Sequence, residues 1–378
     1  MLDMPLTAQE TERLTPFFFD HKLQERLCGQ FAAGQLSLET NLIHGEITPP
    51  GPAMIRDIPD DQSPEGRAAH RAGASVVEGG RLALLILNGG MATRFGGGAK
   101  GIVSVEGKLS FLGLKVTAAR LLSRRYGGEV PVYLMNSMAT HEASIRHLSE
   151  HGHFGYDPAL IRPFLQNTLL RITPDGMLFR HANGTISPYG PGHGDIVEAV
   201  ARSVLSDMQA RGIDVIQMSN VDNVLATPDP LLVGLHLLDG AEMTVEVVRN
   251  TGTDVGGGPL MVDGNFQIVE GFRLPPAFDF TALSDFNANT FYFSRACFHR
   301  HYDLSWFVVA KHVEGRQALQ FERLAGQLSA FLPWSCRRVQ RDGPGSRFSP
   351  IKDRPSLECD RMRISTTLRD RGFLSEVL

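Results

Sequence analysis

The stretch Asn88-Gly89-Gly90-Met91-Ala92-Thr93-Arg94-Phe95-Gly96-Gly97-Gly98-Ala99-Lys100-Gly101 concentrates small residues and two cations directly after an apolar run. Residues without bulk let backbone N–H groups close around an anion, and Arg94 and Lys100 add full positive charge, so the pattern points to a phosphate cradle. It is not a P-loop, because GxxxxGK followed by Ser or Thr is absent. Nor is it a dinucleotide fingerprint, because GxGxxG and its downstream acid do not fit. A flexible glycine-rich turn is the plain alternative. Pro191-Gly192-His193-Gly194-Asp195 forms a second motif, in which Asp195 is a plausible helix N-cap and His193 either donates to a phosphate or ribose oxygen or caps a turn. In a third, Asn220-Val221-Asp222-Asn223, a carboxylate closes a strand-like run. It is placed either to hold Mg²⁺, a hard cation that prefers oxygen, or to make an Asx-turn.

These motifs sit at the ends of alternating strand-like and helix-like segments. LALLILNGG reads as a buried strand, SFLGLKVTAARLLSR from Ser110 as a helix, PVYLMNS as a strand, and a helix follows from about Thr140. DIVEAVARSVLSDM sets Ile196, Val197, Val200 and Val204 on one helical face, and DVIQMSN from Asp214 is again a strand. This rhythm predicts an α/β fold with a mostly parallel sheet, helices on both faces and ligands at the carboxyl ends of the strands. Residues 7–34 read as one or two amphipathic helices, and Thr48 to Gly66 as a proline-rich connector. After Ala241 shorter strands follow, MTVEVVR, PLMV, FQIV and NTFYFS, which suit a β-rich insertion or lid. From about Lys311 the spacing in ALQFERLAGQLSAFL predicts a helix, before basic sequence rich in Pro and Gly that runs to FSPIKD.

The 378 residues include 42% hydrophobic and 21% charged positions, which excludes collagen-like, wholly disordered and disulfide-scaffold classes. With 37 basic against 41 acidic residues the net charge is −4, so neither nucleic acid nor an anionic membrane is expected as a partner, and any anion must be held locally. Cys28, Cys297, Cys336 and Cys359 have no metal-ligand spacing, which fits a reducing cytoplasm. The start of the chain carries Asp3 and Glu10 rather than a basic export signal, and no apolar run approaches a membrane span. No repeat is visible. Oligomeric state is not encoded in any pattern here.

Seven segments in order resemble one family. LNGGMATRFGGGAKG is similar to an NGG-x-G-T pattern with a downstream lysine, and LMNSMATH to LMNS-x-x-TH. PGHGD is nearly identical, SNVDN resembles NSDN, DVGGGPL a glycine pair, NANTFYF an NTNN segment, and SRFSPIKD an F-x-P-x-K. Together they resemble the UTP-dependent hexose-1-phosphate uridylyltransferases, the UDP-glucose pyrophosphorylase family, from about Leu82 to Asp353. The LMNS and GHGD segments favour this branch over the acetylhexosamine pyrophosphorylases.

The resemblance implies a Rossmann-like nucleotidyltransferase core at 80–310, with a mixed, mostly parallel sheet and a β-rich insertion. A helical N-terminal extension and linker would precede it at 1–79, and a short C-terminal cap carrying Lys352 would follow at 311–378. It also implies that Gly89 and Gly90 lie against the nucleotide, that Gln166 and Gly192 recognise uracil, and that Lys100 and Lys352 meet the phosphates, to which the charge of the cradle itself adds Arg94 as a third candidate catalytic cation. His193 would meet the sugar phosphate, Asn220 the sugar, Gly257, Glu270, Asn287 and Asn289 the hexose hydroxyls, and Asp222 the metal, Mg²⁺. The expected reaction joins UTP and a hexose 1-phosphate, most simply glucose 1-phosphate, into UDP-hexose and pyrophosphate. It needs no enzyme nucleophile, since the sugar phosphate oxygen attacks the α-phosphorus directly.

Three positions depart from the pattern: Ala92 replaces a glycine, Ala99 the proline before the lysine, and Thr290 the second asparagine of NTNN. The sequence ends soon after Asp353, where eukaryotic members continue into a β-helical domain. These departures keep two alternatives in view, a same-fold transferase for another nucleotide or a non-glucose phosphate, and a non-catalytic sugar-nucleotide-binding relative.

Overall fold

The computed structural model describes residues 6–252 and 256–373. Asp3, Asp254 and Val255, named above, lie outside these residues. Among the described residues eight strands make the central sheet: β1 (Ile55–Asp57), β2 (Leu82–Leu87), β3 (Val132–Asn136), β4 (Ile161–Leu165), β5 (Val215–Asn220), β6 (Met243–Arg249), β7 (Asp285–Ser294) and β8 (Trp334–Arg338). Their order is β1-β8-β6-β7-β5-β2-β3-β4. All run parallel except β7, which is antiparallel to both β5 and β6. The sheet is mixed and mostly parallel, as expected for a Rossmann-like core.

The alternation of a strand buried on both faces is plain in β2. Leu82, Leu84 and Ile86 pack under the helices Pro64–Glu78, Phe111–Tyr126, Pro230–Leu238 and Arg354–Asp370. Ala83, Leu85 and Leu87 face the opposite layer, where the helices Ile196–Ser203 and Leu205–Ala210 lie. The helices Pro64–Glu78 and Pro230–Leu238 approach so closely that a Cβ on Gly234 would sit 1.7 Å from Ala69 O, and one on Gly73 1.8 Å from Pro230 O. Gly234→Ala should therefore push the pair apart. The gain in helix propensity, about 1 kcal/mol, is smaller than an overpacking cost of about 3 kcal/mol. A urea melt should show the midpoint falling; an unchanged or raised midpoint would mean the helices slide apart freely.

Two departures from the sequence pattern concern strands. ALQFERLAGQLSAFL is not a helix: Arg316–Glu322 is a strand paired with Phe307–Val313, and Ala325–Ala330 is a 3₁₀ turn. The hairpin turn explains this, because Glu314 (φ 51°) and Gly315 (φ 72°) both take the left-handed conformation that a two-residue hairpin loop requires. β1 arises within the proline-rich connector and β8 within the C-terminal segment, and both pair inside the main sheet. The expected N-terminal helices are present as Ala8–Leu14 and His21–Ala32, the second contributing Leu27 and Cys28 to a small core with Tyr189, Val308, Leu319 and Phe321. Of the four runs expected in a β-rich insertion or lid, PLMV and FQIV lie in one, as Gly258–Val262 and Asn265–Val269 beside Ile47–Thr48, whereas MTVEVVR and NTFYFS are β6 and β7, paired with each other inside the central sheet.

Candidate functional site

The carboxyl ends of the parallel strands gather the motif residues along one edge of the sheet. β2 runs into Asn88, which is buried and whose Nδ2 donates to Asn136 Oδ1 (2.7 Å) and Ser144 Oγ (2.8 Å). Ser137 Oγ donates to Gly89 O at 2.9 Å, so the LMNS segment holds the glycine pair from the neighbouring strand. Beyond Gly90 the loop closes on itself: Ala92 N donates to Gly98 O (2.8 Å) and Lys100 N to Gly90 O (3.0 Å). The turn is made by Gly96, Gly97 and Gly98, at φ 96°, 105° and 81°. Ala92 sits at φ −85°, so its Cβ costs no backbone strain, and Ala99 at φ −76° keeps an angle that proline itself would fix. Arg94 is exposed on this loop, its charge felt by Lys100 and Asp353.

Asp222 is the electrostatic centre. Its Oδ2 accepts from Lys100 Nζ at 2.5 Å and from Lys352 Nζ at 3.2 Å, which brings together side chains from the glycine loop, the end of β5 and the C-terminal segment. Burial alone would raise the Asp222 carboxyl, but the Lys352 and Lys100 ammonium groups hold it below the usual carboxylate range. Burial lowers the Lys100 ammonium; Asp222 opposes this, while Lys352 and Arg94 add to it. Asp222 Oδ1 is buried with no hydrogen-bond partner, an open oxygen of the kind a hard cation or a donor on a ligand would take. Among the described residues no group of three or more His, Cys, Asp or Glu is arranged to hold a metal ion. A cation here would take one protein oxygen and draw its other ligands from phosphate and water.

Gln166 lies between two backbones: a Cβ on Gly89 would come within 2.6 Å of its Nε2, and one on Gly190 within 1.8 Å. Gly192, at φ 85°, would drive a Cβ into Arg323 O at 2.5 Å, so glycine is required there twice over. His193 Nδ1 accepts from Ala325 N at 2.9 Å, and burial pushes the ring down to about 4. The imidazole is therefore neutral near pH 7, with its proton on Nε2, ready to donate. Asp195 does not cap the helix it precedes. Its backbone is already helical (φ −65°, ψ −12°), and its carboxylate turns inward to accept from Asn167 N (2.6 Å), Asn167 Nδ2 (2.8 Å) and Arg323 Nη2 (2.7 Å).

The remaining residues come from the one reversed strand. Because β7 is antiparallel, it starts at the edge where the others end. Between Glu246–Thr290 and Val247–Asn287 its register jumps, leaving Ala288 and Asn289 as a bulge. Asn289 occupies the left-handed region (φ 50°), its Nδ2 donating to Asn220 Oδ1 at 3.0 Å and its N to Asn287 Oδ1 at 3.0 Å, while its own Oδ1 is buried without a partner. Asn287 N donates to Gly257 O at 2.8 Å. A Cβ on Gly257 would lie 1.7 Å from Val269 O, beside Glu270. Burial, reinforced by the charge of Glu322, pushes Glu270 up to about 7. Thr290 pairs with Ser219 and Glu246 inside the sheet.

Residues to which the sequence assigned no role, some of them inside the motifs, complete the edge. Asn88, Ser137, Asn223 and Arg323 support the loops, and Lys115, deep in the helix Phe111–Tyr126, reaches the turn after β5. Burial pushes the Lys115 ammonium down to about 7, against the pull of the Asp222 charge.

A family model described as UTP–glucose-1-phosphate uridylyltransferase matches residues 36–364. The chain belongs to that family. A UTP–glucose-1-phosphate uridylyltransferase of Solanum tuberosum is 28% identical over 310 residues, covering 78% of this chain and 64% of the relative, so the chain spans less than two thirds of that family member. The fold is similar to that of a UDP-glucose phosphorylase from Trypanosoma brucei (TM-score 0.73, 21% identity, 93% of this chain and 77% of that one). It is equally similar to a uridine diphosphate N-acetylglucosamine pyrophosphorylase from the same organism (TM-score 0.74, 19% identity, 90% and 75%). At that level of identity the likeness concerns the fold, which the family shares with the acetylhexosamine branch.

Proposed function

We propose that the chain transfers the uridylyl group of UTP to a hexose 1-phosphate, most simply glucose 1-phosphate, releasing pyrophosphate. The convergence of Lys100 and Lys352 on Asp222 beside the Gly89–Gly90 backbone carries this reading. An oxygen of the sugar phosphate forms a bond to the α-phosphorus, the bond to the bridging oxygen breaks, and its electron pair leaves with pyrophosphate. Phosphoryl chemistry of this kind asks for alignment and charge neutralisation rather than a nucleophile. Lys100 and Lys352 would neutralise phosphate charge, with Arg94 available from the exposed loop. Gln166 and Gly192 would receive uracil, His193 would donate Nε2–H to the sugar phosphate, and Asn220, Gly257, Glu270, Asn287 and Asn289 would meet the hexose.

Mg²⁺ fits the open Oδ1 of Asp222, where it would add positive charge to the phosphates. A cytoplasmic location belongs to the same reading, supported by four cysteines without paired spacing; none of the described helices is long and apolar enough to cross a membrane.

Pyrophosphate release with each of four nucleoside triphosphates and a panel of sugar 1-phosphates tests the proposal. UTP should exceed ATP and CTP by at least about tenfold in kcat/KM, since a site built to bond one base leaves polar groups unpaired with another. Equal use of ATP would sink the uracil assignment, and no release with any pair would sink the activity.

A further inference from the structure

Lys115 is 2% exposed, in a helix whose neighbouring residues Leu112, Leu114, Val116, Ala118 and Ala119 belong to the apolar core. An ammonium in such a place is costly unless every proton is used. All three are used: Nζ donates to Ser219 Oγ (3.1 Å), Asn223 O (2.7 Å) and Ala226 O (2.9 Å). The first acceptor is the second-to-last residue of β5, and the other two lie on the turn that carries Asp222. That turn is in turn stitched to the C-terminal segment. Ser349 N donates to Asn223 Oδ1 (2.9 Å), Val224 N to Ser349 O (3.4 Å) and Ile351 N to Asp222 O (3.0 Å), one residue before Lys352.

We infer that Lys115 is a positioning residue that fixes the Val221–Ala226 turn, and through it sets both Asp222 and Lys352 against Lys100. The catalytic part of this inference rests on the uridylyltransferase reading; the structural part does not. Lys115 touches no substrate position itself and acts through the turn. One short segment is held from two sides of the chain, by the ammonium at Asn223 O and Ala226 O and by the Ser349–Ile351 ladder at Asp222 O, Asn223 Oδ1 and Val224 N. Loss of the ammonium should therefore loosen the ladder as well as the turn.

The test is a double-mutant cycle with an exchange measurement beside it. Lys115→Met, assayed well below its own melting temperature, should lower kcat about 30-fold while changing KM for either substrate less than about threefold. In a Lys352→Ala background the same change should cost clearly less, about tenfold or below in kcat, because one of the two residues it positions is gone. Equal losses in the two backgrounds would overturn the inference and leave Lys115 as a generic core contact. If Lys115→Met does not fold, Ser219→Ala, which removes one acceptor, carries the same cycle with smaller expected losses. Hydrogen exchange supplies a readout that needs no turnover: the Val224 and Ile351 amides should exchange at least about tenfold faster in the variant, with Leu84 to Leu87 unaffected. Unchanged exchange at Val224 and Ile351 overturns the positioning role even in a chain that uses UTP. Wild-type protein without turnover, but with the expected exchange, overturns only the activity.

Discussion

Lys100→Ala should lower kcat by roughly three orders of magnitude and leave the thermal midpoint nearly unchanged. The ammonium lies in a loop rather than a core, beside Asp222 and within the influence of Lys352 and Arg94. A cation pre-placed among other cations carries an electrostatic cost in the resting protein, which a bound polyphosphate would relieve. Removing it takes away charge stabilisation where phosphate charge develops, the kind of contribution for which single deletions cost about 10²–10³ or more. Near-normal kcat in a folded Lys100→Ala protein would remove the residue from the mechanism.

Asp222→Asn should have a comparable effect for a different reason. The substitution keeps the shape but leaves the Lys100 and Lys352 ammonium groups facing each other without the anion that joins them. We expect kcat to fall by about 10²–10³, with a drop of a few degrees in the melt, because Lys352 is half exposed and can swing into water. If Oδ1 also takes Mg²⁺, the metal titration of kcat should shift to higher concentration, and Mn²⁺, which tolerates mixed ligands, should restore part of the loss. Superimposable titrations in the two proteins would confine Asp222 to holding the lysines.

How much of this was legible in the sequence depended on where the charges went. β2, β3 and β5 announce themselves as apolar runs that end in small polar residues, so the site edge was visible before the fold. β8, WSCRR, was hidden: Arg337 Nε donates to Asp239 Oδ2 at 3.0 Å and Arg338 Nε to Asp285 Oδ1 at 2.6 Å, pairs that bring an arginine-rich strand into the sheet but join residues far apart in the chain. Lys115 was missed for the same reason, since a lysine among apolar helix residues looks like one whose stem is buried and whose head reaches water. Asp195 had the right position for a cap, and only the distant Arg323 and Asn167 reveal its other use. Asn287 and Asn289 could be marked as polar residues in a strand, but the bulge that turns Asn289 toward Asn220 depends on pairing with β6.

The reversed strand has a consequence for how such a protein can change. Arg249 at the end of β6 pairs with Asp285 at the start of β7, so residues 250–284 leave the sheet and return to it one strand spacing apart, about 4.8 Å. That stretch behaves as a cassette plugged into the rim of the sheet. Its length can change without shifting the register of β6 or β7, provided its own pairing with Ile47–Thr48 is kept. The cassette carries Gly257 and Glu270 and hands the chain directly to Asn287, whereas Lys100, Asp222 and Lys352 are anchored elsewhere. On the proposed reading, part of the hexose contact, Gly257 and Glu270, thus rides on a segment separate from Lys100, Asp222 and Lys352, while Asn220, Asn287 and Asn289 stay with the sheet, so a chimera that swaps 250–284 should change sugar preference before it changes phosphate chemistry.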